Sequence, residues 1–410
     1  MKVFLLGGYG KAGLPAAKLL AQSDLITEIA VAGRNLERAE TAADEIGRKA
    51  VAVRVDGTDE MALTPLVAGC DIIANAAYGG TVLPSIRAAI GAGKPYCDVA
   101  SFGDLVKQVV KLSPEAQAAG VTAVIANGIS PCISNLMGVH VARQLDQVEQ
   151  LQIGRSDLFS FETAREFTPR QWHEDPQESL AIFPEFRSLF AFLFGRLQKE
   201  KVRTVLDFQD GDWVERDPVK GGVDVSLTQG GTTRAYPFFS GDDFWGMLPG
   251  DLGPVAPVEM YFIALLPPQL ADVLRAHAAR VVAGEIDAEA ATNAVYDTVA
   301  RDPRQWLTPQ GELPPITKMW VRAVGHKAGR AARCSCWFTA PMWDVTGWFL
   351  TSAALAAAVR KILRGEVRKR GIIHAESAFE PQSFFDEVVA LLPEPPADGR
   401  MVDEAFEWLI

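Results

Sequence analysis

A chain of 410 residues exceeds what one ordinary core holds, so two domains are the starting expectation. Its 48% hydrophobic and 22% charged residues exclude long disorder, and a formal net charge of −11 disfavours nucleic acid as a partner. Five cysteines, an odd number without framework spacing, suit a reducing, cytoplasmic compartment, and no run of about 18 apolar residues is present to span a membrane.

The first predicted element is an apolar strand at residues 2–7, too short for a secretion-signal core and the right length for a buried strand. A glycine-rich turn and a helix at 15–22 follow. Strands at 28–32, 50–55, 71–76, 95–99 and 121–126 then alternate with helices at 36–48, 61–68, 82–92 and 113–119. That rhythm predicts an α/β fold, a Rossmann doubly wound parallel sheet over residues 1–131. After a helix at 134–145 the text changes. Short alternating runs at 202–208, 213–216, 223–228 and 232–236 are separated by Asp-Gly or Gly-Gly, the mark of an antiparallel meander. Helices are predicted at 186–199, 268–283 and 288–301. The region 132–348 therefore reads as an α+β substrate domain with a mostly antiparallel sheet, whose exposed strands suit a homodimer. Helices at 351–363 and 381–391 flank Gly371-Ile372-Ile373 and return to the Rossmann domain over 349–392, leaving 393–410 as a tail.

Gly8-Tyr9-Gly10-Lys11-Ala12-Gly13 fits G-x-G-x-x-G between a predicted strand and a predicted helix, the context in which that pattern binds a dinucleotide. Gly8 is assigned the tight turn, Gly10 the approach of the pyrophosphate and Gly13 the close helix–strand packing, with the helix N-terminus facing the phosphates. The second strand ends at Gly33-Arg34-Asn35, with Arg38 one turn on and no carboxylate before Glu37. A guanidinium forks onto a 2′-phosphate and gains little from a neutral hydroxyl, so the cofactor reading is NADP; a plain surface arginine is the alternative. Asp56, after the third strand, either borders the adenine or caps the next helix.

These residues resemble the saccharopine dehydrogenase-like family. Besides the glycine turn, Cys70-Asp71-Ile72-Ile73-Ala74-Asn75-Ala76-Ala77 looks like the family's D-V-V-I-N-A-A strand, and Pro95-Tyr96-Cys97-Asp98 like its H/P-Y-V-D strand. Ala126-Asn127-Gly128-Ile129-Ser130-Pro131-Cys132-Ile133-Ser134-Asn135-Leu136 is similar to its G-F-D-P-G-L-S-N-L turn. Residues 371–385, with Glu376 and the Phe384-Phe385 pair, look like its C-terminal G-V-x-x-P-E…F-F element. The likeness covers roughly residues 1–145 and 345–391. Cys132 stands where the family has glycine and Ala375 where it has proline, which marks a divergent branch. The resemblance implies an NADP-dependent oxidoreductase acting on a small molecule, since relatives reduce imines formed from amino acids or polyamines, and others reduce enoyl groups.

In such a sheet the nicotinamide lies over the ends of the fourth and fifth strands. The small Asn75-Ala76-Ala77 segment would let it pass. Tyr78 is a candidate proton donor or stacking partner, or else a rim aromatic; Asp98 is a candidate to orient or protonate an amine, or else a cap. Ser130, in the turn before the 134–145 helix, is placed beside the cofactor, with that helix's first amides offered to a carboxamide or carboxylate. Cys132 has no basic neighbour and reads as packing. Cys334 and Cys336 share a strand face but lack further ligands for a metal. The aromatic stretch 183–197 is core, or it lines a pocket for a large apolar substrate; Arg155, His173, Asp242 and Asp243 are candidate polar contacts. Imine reduction is the leading reading, with reduction of an activated C=C in a hydrophobic or carrier-bound intermediate second. A non-catalytic NADP sensor is the third, since no Tyr-x-x-x-Lys or His/Asp pair stands out.

Overall fold

The computed structural model describes residues 1–77, 79–100, 103–157, 191, 194, 195, 197, 198, 205–209, 212–216, 223–226, 232–235, 258–264, 268–301, 319–338 and 348–409. The chain divides into two compact units: Met1–Val148 with Ala323–Ile410, and most of the chain between them.

The first unit opens with six strands, β1 (Lys2–Leu6), β2 (Glu28–Gly33), β3 (Ala50–Arg54), β4 (Ile72–Asn75), β5 (Tyr96–Asp98) and β6 (Thr122–Ile125). They form one sheet in the order β3-β2-β1-β4-β5-β6, every neighbour parallel. β4 and β6 are buried at every position, which is why they read as unbroken apolar runs. The crossovers carry α1 (Gly13–Ala21), α2 (Leu36–Ile46), α3 (Glu60–Ala68), α4 (Val82–Ala92), α5 (Gly103–Val110) and α6 (Ser113–Ala118), and α7 (Ile133–Ala142) follows β6. Asn35 caps α2 by accepting the Arg38 amide at 3.0 Å. The sheet's core joins Phe4, Leu6, Ile73 and Tyr96 to Leu63 of α3 and Ile86 of α4.

The second unit holds most of β7 (Gln147–Asp157), then β8 (Val205–Gln209), β9 (Asp212–Arg216), β10 (Val223–Ser226), β11 (Thr232–Ala235) and β12 (Val258–Ala264). β12 lies parallel to β7 and antiparallel to β8; β8–β9 and β10–β11 are antiparallel hairpins, as the meander signature predicts. α8 (Pro268–Ala283) and α9 (Ala288–Arg301) pack around Phe194 and Leu197, both buried with Leu274, Ala278 and Val295. Of the aromatic stretch, Phe194 and Leu197 are thus core residues.

The chain then returns to the first unit. β13 (Met319–Lys327) leads to β14 (Arg330–Phe338) and the Ala-rich α10 (Trp348–Leu363). Ser352 on α10 donates to the Ala12 carbonyl at 2.7 Å, fastening this helix to the start of α1. β15 (Gly371–His374) adds to β6 in parallel as the seventh strand, and α11 (Ala375–Ala378) and α12 (Pro381–Val389) follow. The tail corrects one expectation: it contains β16 (Val402–Trp408), antiparallel to β14 over seven positions and held at Glu404 by His140 and Gln144.

Candidate active site

The glycine turn links β1 to α1 at the point where strand order reverses between β1 and β4. The Gly7 amide donates to the Ala32 carbonyl at 2.8 Å, and the Gly7 carbonyl accepts from Gly10 at 2.8 Å. Gly7 has φ +77°, a conformation that favours glycine, so the sharp turn falls here, one residue before the Gly8 to which G-x-G-x-x-G assigns it. A Cβ on Gly7 would stand 2.8 Å from the Ala77 nitrogen; the turn lies directly on the end of β4. A Cβ on Gly13 would stand 2.8 Å from Gly8 Cα and run into the Gly7 carbonyl, which is the close packing its position requires. Among the described residues no acceptor takes the amides of Gly8, Tyr9, Lys11, Ala12 or Gly13. Backbone donors left open at a helix start make an anion cradle, and a dinucleotide pyrophosphate fits that donor set.

Beyond β2, Arg34 is exposed. Arg38 stands with its guanidinium carbon 4.9 Å from the centre of the Tyr9 ring, and its Nη2 donates to the Tyr9 carbonyl at 3.5 Å. The Tyr9 hydroxyl accepts the Asn35 amide at 3.1 Å. Asp56 accepts from the Thr58 amide at 3.0 Å and the Thr58 hydroxyl at 2.8 Å, and these bonds, with a smaller pull from Arg34, hold its carboxyl below the ordinary value. Asp56 does not cap α3. Asp59 does, accepting the Ala62 amide at 3.1 Å.

A buried polar chain runs beneath the strand ends. Asn75 accepts the Ala77 amide at 2.9 Å and donates to Ser85 at 3.0 Å, Thr81 at 3.2 Å and Tyr96 at 3.4 Å. Tyr96 donates to Asp98 Oδ2 at 3.0 Å, while Asp98 Oδ1 accepts the Ala126 amide at 2.8 Å and the Ala100 amide at 3.2 Å. The Asp98 side chain thus joins the ends of β5 and β6, only 1% exposed. Burial outweighs these bonds and lifts its carboxyl from 3.8 to about 6. Burial, then the Asp98 charge, also pushes the Tyr96 phenol well up. Sequence reasoning missed Tyr96 and Ser85. Tyr96 and Asp98 sit two apart on a strand, hence on one face, and that spacing was the available signal.

The turn after β6 carries a cis Ser130–Pro131 bond and Cys132 at φ +100°. Ile133 donates to the Gly128 carbonyl and Ser134 to the Ile129 carbonyl, so the first amides of α7 are taken by their own loop, contrary to the expectation that they face a ligand. Ser134 Oγ lies 3.0 Å from both Ser130 Oγ and Asn135 Oδ1, and Asn135 donates to Glu376 at 3.4 Å. Cys132 is buried, and burial followed by the Glu376 charge pushes its thiol well above the ordinary value. Cys334 and Cys336 are buried on one face of β14, Cys334 raised by burial to about 11 and Cys336 higher still. Among the described residues no three His, Cys, Asp or Glu side chains gather as metal ligands, and no helix is long and apolar enough to cross a membrane. Tyr78, His173, Asp242 and Asp243 lie outside the described residues; Arg155 belongs to β7.

A seven-stranded parallel sheet in this order, with a glycine turn and open amides at its switch point, defines a Rossmann dinucleotide-binding protein. Residues 3–124 match the family model described as the saccharopine dehydrogenase NADP binding domain. By that match the N-terminal domain is of the saccharopine dehydrogenase NADP-binding type, and it binds NADP. Across 99% of both chains it shares the fold of the apo histidine-tagged saccharopine dehydrogenase (L-Glu forming) of Saccharomyces cerevisiae, with a TM-score of 0.63 at 14% identity. A serine dehydrogenase of Escherichia coli aligns over 30% of this chain and 81% of its own, at 12% identity and a TM-score of 0.25. The first likeness establishes the fold of the chain.

Proposed function

We propose that this protein is a cytoplasmic NADP-dependent reductase that converts an imine to an amine in amino-acid or secondary metabolism. The observation that carries the reading is the set of open amides at Gly8, Tyr9, Lys11, Ala12 and Gly13, on a turn whose Gly7 is pressed against Ala76 and Ala77 at the switch point. These amides hold the pyrophosphate, and Arg34 with Arg38 holds the 2′-phosphate. Ala76 and Ala77 leave room beside β4, and Asn75 fixes the Ala77 amide. When bound, NADPH supplies a hydride to the C=N carbon, and a proton on nitrogen completes the amine. Tyr78, the residue after Ala77, holds that proton. Asp98 acts as a positioning residue, through the Ala100 and Ala126 amides that it accepts.

The test is NADPH oxidation by the purified protein. A 2-oxo acid mixed with an amine should drive oxidation, and neither alone should. Oxidation by an activated enone instead would transfer the assignment to C=C reduction. Tight NADPH binding without turnover on either mixture would transfer it to a sensor.

A further inference from the structure

The first unit contains a tyrosine whose placement a phosphate turn does not require. Tyr9 sits inside the glycine loop, yet its side chain reaches to the end of β2. A Cβ on Gly33 would lie 2.5 Å from Tyr9 Cε1 and 2.6 Å from Cζ, so the ring lies flush on that glycine. Its hydroxyl accepts the Asn35 amide at 3.1 Å. Arg38 is held over its ring at 4.9 Å and bonds its carbonyl at 3.5 Å. Asn35 in turn caps the helix that carries Arg38. One aromatic residue therefore ties the phosphate turn, the end of β2, the start of α2 and one of the two arginines that follow β2.

We infer that Tyr9 is a specificity-determining positioning residue: it pre-orients the Arg38 guanidinium for the 2′-phosphate and so sets the preference for NADPH over NADH. The physical reason is entropic as well as electrostatic. An exposed arginine loses rotamer freedom when it binds a phosphate, and a guanidinium already stacked on a ring has lost part of it beforehand. The stack also leaves the guanidinium edge, with its fork of N–H donors, available to phosphate oxygens. Gly33 belongs to the same device, because any side chain there displaces the ring. The inference rests on the placing of the 2′-phosphate at Arg34 and Arg38.

The experiment is calorimetric titration of the full chain with NADPH and with NADH, for the unmutated protein, Tyr9→Phe, Tyr9→Ala, Gly33→Ala and Arg38→Ala. The quantity read is the ratio of the two affinities, which a general loss of folding does not alter in favour of one cofactor. Tyr9→Ala should lower the NADPH preference by about 5- to 20-fold, and Tyr9→Phe, which keeps the stack, by about 2- to 5-fold. Gly33→Ala, which displaces the ring, should reproduce the Tyr9→Ala loss with both arginines and the tyrosine still in the sequence. In turnover the change should fall on the KM for NADPH more than on kcat. If Tyr9→Ala or Tyr9→Phe keeps the full preference while Arg38→Ala loses it, the arginine needs no platform and the inference is overturned. If the unmutated protein shows no preference, the placing of the 2′-phosphate fails first, and the inference goes with it.

Discussion

Replacing Asp98 by asparagine should flatten the pH dependence of stability. Asp98 is buried, and its carboxyl is raised from 3.8 to about 6. The titratable groups beside it, the Tyr96 phenol and the Cys97 thiol, are both pushed up by burial and by the Asp98 charge and so stay neutral across this range. Between pH 3.8 and 6 the folded chain keeps a proton on Asp98 that the unfolded chain has lost. Stability therefore falls as pH rises through that window, and the loss is complete above it. Each pH unit across the interval is worth about 1.4 kcal/mol, which makes the full effect about 3 kcal/mol, of which about 1.4 kcal/mol falls between pH 5 and 8. Asparagine preserves the geometry. Its Oδ1 accepts the Ala126 and Ala100 amides, and its Nδ2 donates to the Tyr96 oxygen, whose own proton turns to Ser85, 3.2 Å away. Urea unfolding of both proteins across pH 5 to 8 gives the comparison, and the difference between the two profiles isolates this residue. The unmutated protein should lose about 1.4 kcal/mol more than Asp98→Asn over that range. Parallel profiles would refute the reasoning, because the buried carboxyl would then titrate as it does in the unfolded chain.

Arg34→Asp should raise the KM for NADPH about 10- to 100-fold and narrow its margin over NADH, since a charge-assisted contact to the 2′-phosphate is replaced by repulsion; steady-state kinetics with both cofactors reads this directly. The five buried thiols should resist an aromatic disulfide reagent at pH 8 in the native chain and react together in denaturant. Rapid labelling of Cys132 with loss of NADPH binding would contradict its buried, raised state.

The first sheet was legible because its inner strands are buried on both faces, and runs such as Ile72-Ile73-Ala74 carry no alternation to confuse with a helix. The turn was legible in type but displaced by one residue. Only Gly8 begins the G-x-G-x-x-G pattern, whereas the positive φ falls on its neighbour Gly7, whose amide is tied to the Ala32 carbonyl at the end of β2. β16 was hidden. Val402, Glu404, Phe406 and Trp408 share one face, and Glu404 interrupts the apolar set because its partners, His140 and Gln144, lie about 260 residues away in sequence. At Asp98 a strand-end carboxylate looks the same in sequence whether it faces a substrate or a backbone. Its partners Ala100 and Ala126 emerge only once β5 and β6 are paired. For α7, helix character was legible, but the engagement of its first amides depends on the loop's fold-back from Gly128, which no residue pattern announces.

The pairing of β15 with β6 has a consequence during synthesis. β6 ends at Ile125 and β15 begins at Gly371, so at ribosomal speeds about 12 to 50 seconds separate the emergence of one strand from that of its neighbour. Throughout that interval the nascent chain presents the bare rim of an apolar parallel sheet, the kind of surface on which unfinished polypeptides adhere to one another. Any premature stop between Ile125 and Gly371 makes that interim condition permanent. Such fragments should therefore burden chaperones far more than their lost length alone would suggest.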